Sequence, residues 1–160
     1  MAKRRKRTNK TVPAKGRLRD MADQLWSLAV RDDWAWKCAV CGIQTGKLEA
    51  HHVHPRGWER FRYTLRNGIL LCFQCHNHNN DYAPHQNAAG WMLWLREHHP
   101  EIAYWYISNT ETCEHHKFEG TKNPQYYIDQ ICRLSEYVDY DDFERVVGKR
   151  FSLWLAENSD

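Results

Sequence analysis

The sequence contains no long run of apolar residues. A helix that crosses a membrane needs about 18 consecutive apolar residues, and no segment of this 160-residue chain approaches that length. No apolar core follows the basic N-terminus, as it would in a secretory signal, so we expect a cytoplasmic, reducing setting and no membrane partner. Disulfides are rare in such a setting, and the six cysteines therefore need another explanation.

Acidic residues are absent from the first 19 positions, which hold nine lysines and arginines. The other 141 residues carry 14 basic and 20 acidic groups, a net charge of −6. We interpret residues 1–16 as a flexible basic arm. Such an arm suits a polyphosphate, because each neutralised phosphate releases counterions, and Arg4, Arg5 and Arg7 are the candidate nucleic-acid contacts. A solvated tail without a partner is the alternative.

Internal repeats are also lacking, and a length of 160 residues fits one domain, or one small domain with an appended helical part. Hydrophobic periodicity and capping signals predict the individual elements. These are a helix at about 17–31, strands at 48–53 and 69–72, and helices at 88–98, from Asn123-Pro124 to Leu134, and at about 142–157. We assign residues 17–84 to a domain with a leading helix and residues 85–160 to a helical extension packed on it.

Two Cys-x-x-Cys pairs, separated by thirty residues, explain four of the cysteines: Cys38, Cys41, Cys72 and Cys75. Two such pairs place four thiolates around a structural zinc ion, with the intervening chain looped out. Gly42 permits the tight turn that follows the first pair. A redox dithiol would explain one pair but not both. Four thiolates leave no open coordination position, so this zinc would support folding only.

The other two cysteines, Cys113 and Cys132, have no partner at metal-binding spacing. We interpret them as ordinary thiols. The cluster Cys113-Glu114-His115-His116 offers donor atoms for an ion, but no second ligand group lies near it in sequence.

Histidine and asparagine are concentrated between and just after the cysteine pairs. Phosphodiester hydrolysis needs a divalent ion on the phosphate and a neutral imidazole that takes a proton from water. Adjacent strand residues face opposite sides, so His51 and His52 are suited to these two different tasks. His76 and Asn80 would share one face of a helix and turn toward the same ion. Asn67 is placed to hydrogen-bond backbone across the loop and hold the strand of His52.

This arrangement resembles the HNH endonuclease family over about residues 31–82. The resemblance rests on His51-His52, Asn67 and His76 inside the paired cysteine knuckles. It implies an α+β fold: a zinc-stapled ββα-metal finger flanked by an N-terminal helix and a C-terminal helical part. By the same resemblance, His52 is the general base and Asn67 its orienting residue. The catalytic ion, Mg²⁺ or Mn²⁺ or else Ni²⁺ or Zn²⁺, is bound by His51 and His76, with Asn80 as a further ligand.

Arginines lie in the loop between the two histidine groups at positions 56, 60, 62 and 66. One or two of them are expected to contact phosphates, since guanidinium binds phosphate in a bidentate manner. Arg56 and Arg60 are the preferred candidates because they follow the His-Pro corner. Ordinary solvated arginines are the alternative at each position.

Residues 85–160 hold seven basic and thirteen acidic groups, a surface that would repel nucleic acid. Their large aromatic side chains are expected to form a helical core, and the alternative is a homodimer or protein-partner interface. These side chains are Trp91, Trp94, Trp105, Tyr106 and Trp154.

The sequence therefore predicts a metal-dependent endonuclease that hydrolyses phosphodiester bonds in DNA, with RNA still open. The finger it resembles occurs in phage, mobile-element and restriction enzymes alike. A non-catalytic zinc-finger module that binds nucleic acid or a protein is the alternative function. The two differ in whether divalent ions stimulate cleavage.

Overall fold

The computed structural model describes residues 11–112, 114 and 117–158. Seven helices and two strands make up the regular structure of this part of the chain. They are α1 (Lys15–Asp33), β1 (Leu48–His52), β2 (Gly68–Cys72), α2 (Phe73–Asn77), α3 (Ala88–His98), α4 (Pro100–Thr112), α5 (Pro124–Leu134), α6 (Tyr140–Val147) and α7 (Lys149–Asn158). The predicted α+β class is confirmed. The candidate contacts Arg4, Arg5 and Arg7, and the cluster around Cys113, lie outside the described residues apart from Glu114.

The two strands form an antiparallel hairpin whose register pairs Leu48 with Cys72 and His52 with Gly68. β2 is buried along Gly68–Leu71, whereas β1 is half-buried beyond Leu48. The helix α2 follows β2 directly, which completes a ββα unit. This unit confirms the predicted finger. The strand register places Cys72 of β2 opposite the start of β1, and the two histidines of β1 lie at the other end of that strand.

The leading helix α1 lies in the larger of two hydrophobic clusters, where it packs mainly on α5. Its seven buried residues recur at three- and four-residue steps, as the sequence predicts, and they include Trp26. The apolar stripe of α5 faces it with Tyr127, Ile128, Ile131 and Leu134. Each aliphatic side chain buried in this way contributes roughly 1.5–3 kcal/mol, which fixes α1 beside the hairpin.

The second hydrophobic cluster joins the finger to α3 and α4. Ile69, Leu70 and Leu71 of β2 are fully buried there, together with Leu95 of α3. Trp34, just after α1, packs against both clusters, and its indole N–H donates to the Gly68 carbonyl at 3.2 Å. Helices from residues 85–160 therefore contribute to both clusters. The helices α5, α6 and α7 pack in the larger cluster with α1, and α3 and α4 pack in the second cluster with the finger.

Two features of the C-terminal helices differ from the sequence-based expectation. The single helix predicted at about 142–157 is wrong: the chain forms α6 and α7, separated by Gly148 with φ of 81°. A left-handed glycine ends helices commonly, and its amide donates to the Glu144 carbonyl at 2.8 Å. The helix α4 was not predicted, although Pro100 stands at its first position as helix geometry permits.

Within the described residues, no helix is both long enough and apolar enough to span a membrane.

Candidate functional site

The four cysteines of the two pairs come together in one cluster. Cys38 and Cys41 lie in the turn before β1, Cys72 ends β2, and Cys75 lies in α2. All four sulfur atoms lie within 4.8 Å of one another, and Cys41 Sγ is 3.7 Å from Cys72 Sγ. A tetrahedral zinc ion with Zn–S bonds of about 2.3 Å separates its sulfur ligands by about 3.8 Å. The thiols therefore fit one structural zinc ion.

The turn that carries the first pair is tight. Gly42 has φ of 73°, and its amide donates to the Cys38 carbonyl at 2.8 Å. Burial raises the pKa of the Cys38 thiol, but backbone amides of Cys41, Cys72 and Val40 outweigh it, so that the pKa lies below its usual value. Backbone N–H groups that stabilise a thiolate favour the form that binds metal.

Three histidines form a second cluster at the other end of the hairpin. His51 Nδ1 lies 2.9 Å from His76 Nε2, and His85 Nε2 lies 3.0 Å from the same His76 atom. His51 and His76 are half-buried, and His85 is exposed. The predicted pair of ligands is thus brought together, and a third imidazole joins it.

The orientation of His76 follows from its partner. The Glu49 carboxylate only accepts hydrogen bonds, and its Oε2 lies 2.7 Å from His76 Nδ1, so Nδ1 donates to Glu49 and Nε2 is the ring nitrogen that faces the cluster. Burial raises the pKa of Glu49, but His76 and Lys47 lower it to about 2. A carboxylate behind a histidine fixes the ring for metal binding. Sequence analysis missed Glu49, although Glu49 and His51 are two apart on a strand and so share one side.

Burial, and after it the charges of His76, His85 and His52, lower the pKa of His51 to about 3. Burial and His76 also lower the pKa of His85. Neutral imidazoles are the form that coordinates metal. Their donor chemistry fits a divalent transition ion, for which nitrogen ligands are well suited, better than Mg²⁺, which prefers oxygen.

The argument that put Asn80 beside His76 is wrong. It required a helix through both residues, but α2 ends at Asn77 and Asn80 is exposed in the turn beyond it. Asn80 does not line the cleft that contains His51 and His76. The sequence pattern does not single out His85, since no helical or strand spacing connects it to His76; a folded loop makes the connection instead.

That loop is held by short-range hydrogen bonds. The Gln86 side chain donates to the Asn77 carbonyl at 2.9 Å, and Asn87 donates to the carbonyls of Asn80 and Asp81. The Asn87 side chain also caps α3 by accepting from the Gly90 amide at 2.9 Å. His85 is therefore positioned by the start of α3.

His52 faces a different environment from His51. Its Nε2 lies 2.9 Å from the carbonyl oxygen of Arg62, so Nε2 carries the proton and Nδ1 the lone pair. The ring stacks on Trp26 of α1, with centroids 3.6 Å apart and planes 13° apart. Burial lowers the pKa of His52, and the hydrogen bond to the Arg62 carbonyl raises it. The charges of Arg62 and Arg56 lower it further, and the resulting pKa is about 4. A neutral imidazole in one tautomer is suited to accept a proton.

Asn67 ties the loop between the strands together, as its position in the sequence predicts. It is fully buried, and its Oδ1 accepts from the His54 amide at 2.6 Å. Its Nδ2 donates to the carbonyls of His54 and Phe61 at 3.3 and 3.1 Å. These bonds hold the chain immediately after His52.

The loop arginines have three different environments. Arg62 is 4% exposed and binds Asp23 of α1 at 2.7 and 2.8 Å, so it stabilises the loop and does not face solvent. Arg56 is exposed, lies 3.1 Å from Asp23 and lines the cleft beside His52. Arg60 and Arg66 are exposed and do not line that cleft.

The three-histidine cluster and His52 face one cleft of about 640 Å³. His51, His52, His76 and His85 line it. A smaller hollow of about 170 Å³ continues past His52 and Arg56 to Asp23 and Ser27 of α1. The His52 imidazole and the three-histidine cluster therefore face the same space.

Comparison with known proteins gives one match. Residues 38–82 match the family model described as HNH endonuclease. No curated protein and no solved structure matches the chain. The matched segment includes the four cysteines, both histidines of β1, Asn67 and His76, and it ends before His85.

Proposed function

We propose, from the HNH endonuclease domain at residues 38–82, that this protein is a metal-dependent endonuclease that cleaves DNA. One observation carries the proposal: His51 and His52 are neighbours on β1, yet one belongs to a three-histidine cluster and the other is held as a neutral base, and both line the same cleft. A structural zinc site alone requires neither arrangement.

The proposed catalytic ion would be held by His51, His76 and His85. When bound, it supplies positive charge to the scissile phosphate and to the leaving oxygen. Glu49 keeps the Nε2 lone pair of His76 directed into the cluster. Because all three donors are imidazole nitrogens, we expect Ni²⁺ or Zn²⁺ to bind more tightly than Mg²⁺.

His52 accepts the proton of the attacking water at Nδ1. The Arg62 carbonyl fixes the tautomer, since it binds the protonated Nε2 at 2.9 Å. Trp26 holds the plane of the ring by stacking. Asn67 acts through the backbone after His52 and is a positioning residue. Arg56 is the arginine of the loop that is placed to contact a phosphate in the cleft.

The decisive test is plasmid cleavage with Mg²⁺, Mn²⁺, Ni²⁺ and Zn²⁺ added in turn. We expect His52→Ala to lower the rate by about 100-fold or more, the contribution of a general base, with ion binding retained. His78→Ala is the matched control, because His78 is exposed and does not line the cleft. Cleavage by His52→Ala at the wild-type rate would reject this base. Absence of ion-stimulated cleavage on DNA and on RNA of the same sequence would instead support a non-catalytic binding module.

The ligand set has its own test. His85→Ala is expected to weaken ion binding at the histidine cluster by about 10-fold or more, and Asn80→Ala to leave it unchanged. Isothermal titration with Ni²⁺ of protein that carries one equivalent of zinc, enough for the four-thiolate site alone, measures both. Equal affinities for wild type and His85→Ala would show that His85 is not the third ligand of the ion.

A further inference from the structure

The cleft has a second wall whose chemistry differs from that of the histidines. Ala88, Trp91 and Met92 of α3 and Tyr106 of α4 form it. None of these side chains is acidic, although residues 85–160 carry thirteen acidic groups against seven basic ones. The acidic surface of the C-terminal part therefore does not extend into the cleft.

The aromatic members of this wall are fixed by their neighbours. Trp91 is 4% exposed, and its ring meets His51 edge-on at a centroid distance of 5.9 Å. Its other contacts include Trp94, which lies parallel at 5.2 Å. The Tyr106 ring stacks at 4.4 Å on His54, which is fully buried. These side chains are already ordered, so binding of an apolar ligand would cost little side-chain entropy.

We propose that this wall binds the nucleoside next to the scissile phosphate, with its base removed from the stack. The inference rests on the proposed function, because it takes the phosphate to lie at the histidine cluster. Arg56, and an ion held by the histidine cluster, would offer charge to the phosphate, whereas Trp91, Met92 and Tyr106 offer apolar surface to an uncharged base and sugar. The cleft volume of about 640 Å³ falls within the roughly 300–1,000 Å³ of sites that enclose small ligands.

This subsite defines a class of substrate. A base in an intact duplex is paired and stacked on both sides, so it reaches a pocket only after unpairing and unstacking. Single-stranded or mismatched nucleic acid has already met that requirement. Aromatic walls bind such bases with little sequence preference, because every base has a π-face. The protein therefore cleaves unpaired nucleotides in preference to perfect duplex.

The test fills the pocket with one side chain. Ala88 is exposed at the first turn of α3 and lines the cleft, so Ala88→Leu fills the space without disturbing the core. Ala89→Leu is the matched control, because Ala89 is equally exposed in the same turn and does not line the cleft. Cleavage is measured on one labelled oligonucleotide as perfect duplex, as duplex with a short mismatched segment, and as single strand. The cut is mapped, and an abasic nucleotide is then placed on each side of it in turn.

Wild-type protein is expected to cut the unpaired substrates with a KM at least about tenfold below that for duplex. Ala88→Leu should raise the KM for unpaired substrates by a similar factor, with Ala89→Leu unchanged. An abasic nucleotide at one flanking position should remove the difference between wild type and Ala88→Leu. Ion-stimulated cleavage that is equal on duplex and single strand, or equal in the two leucine variants, would overturn the subsite and leave the nuclease intact. Absence of cleavage on every substrate would overturn the proposed function itself.

Discussion

His52 is held by two groups that control different properties of its ring. The Arg62 carbonyl selects the tautomer, and Trp26 supplies a parallel face at 3.6 Å. Trp26 in turn is anchored by its indole N–H, which donates to the Thr64 carbonyl at 3.1 Å. Neither Trp26 nor its helix belongs to the segment that matches the HNH family. If His52 is the base, as proposed, Trp26 is its positioning residue.

Replacing Trp26 should lower kcat more than it raises KM, because the base is misaligned while the cleft stays open. We expect Trp26→Leu to lower kcat by about 10- to 100-fold, the range for small misplacements of a reacting group. Trp26→Phe retains an aromatic face and should recover much of that loss. Steady-state cleavage by variants with verified unfolding midpoints measures this. Equal kcat values for the leucine and phenylalanine variants would show that stacking does not matter.

Asn67 satisfies three backbone groups from a fully buried position. Asn67→Ala leaves them without their partner, and each buried unsatisfied group costs about 1–3 kcal/mol. We expect a lower urea midpoint together with reduced cleavage. A variant that unfolds at the wild-type midpoint would contradict the assigned hydrogen bonds.

The start of α3 packs so closely on the loop before it that only glycine fits at position 90. A Cβ atom there would lie 1.9 Å from the Asp81 carbonyl oxygen. Gly90→Ala must push α3 away from this loop, which carries His85, and such overpacking costs about 1–3 kcal/mol. We expect lower stability and about tenfold weaker Ni²⁺ binding at the histidine cluster.

Gly16→Ala is the control for that variant. Gly16 lies in the first turn of α1 with open space around its Cα, so alanine should stabilise the helix by roughly 0.5–1 kcal/mol. Thermal unfolding and titration calorimetry on both proteins separate the two effects. Unchanged Ni²⁺ affinity in Gly90→Ala would mean that α3 does not position His85.

The helix α1 is joined to the loop between β1 and β2 by the ion pair of Asp23 with Arg62. Burial raises the pKa of Asp23, but the hydrogen bond and charge of Arg62, with the charge of Arg56, bring it below the usual value. A carboxyl whose pKa is lowered by folding stabilises the folded state above its unfolded pKa of about 3.9. That contribution is lost as pH falls through the lower folded pKa.

Asp23→Asn should therefore destabilise the protein near pH 7, on the order of 3 kcal/mol, because buried Arg62 loses its closest carboxylate and keeps only Glu59 at 3.7 Å. The difference from wild type should shrink as pH is lowered below about 4, where the carboxyl of the unfolded chain is protonated. Urea midpoints of both proteins across this range measure it. A difference that is constant with pH would exclude the ion pair as its cause.

The sequence predicts best those features that depend on residues close together in the chain, such as ligand pairs, strands and helix caps. The two Cys-x-x-Cys pairs, the strands around His51 and Leu70, and the capped start of α5 at Asn123 are of this kind, and the structure confirms them. Asn80 fails because α2 stops three residues short of it. His85 was missed because its approach to His76 depends on the Asn87 cap and the close contact at Gly90, neither of which produces a periodic pattern.

Charge is distributed very unevenly over the whole molecule, with nine basic residues and no acidic one among the first 19. If this segment contacts phosphates, each lost contact should lower the slope of log Kd against log salt by about 0.9. We expect replacement of Arg4, Arg5 and Arg7 by Gln to weaken DNA binding and reduce that slope by up to about 3.

The matched control replaces three lysines of the acidic part, Lys117, Lys122 and Lys149, by Gln. All three are exposed, and each triple variant removes three positive charges, so the two variants have the same net charge. Fluorescence anisotropy at several salt concentrations gives both slopes. Similar slopes for the two triple variants would show that the N-terminal charges act only through the overall charge.

The groups that position the histidines of the proposed active site come from both sides of the matched segment. Trp26 and Asp23 come from the helix before it, and His85 and Gly90 from the loop and helix after it. A graft of residues 38–82 into a foreign host would accordingly carry the thiol cluster, both imidazoles of the first strand and the asparagine brace. It would arrive without Trp26, the stacking partner of the proposed base His52, and with two of the three imidazoles of the histidine cluster. Transplanting the chemistry thus requires about 70 residues of continuous chain, from Asp23 to Gly90, well beyond the 38–82 motif by which such a domain is recognised.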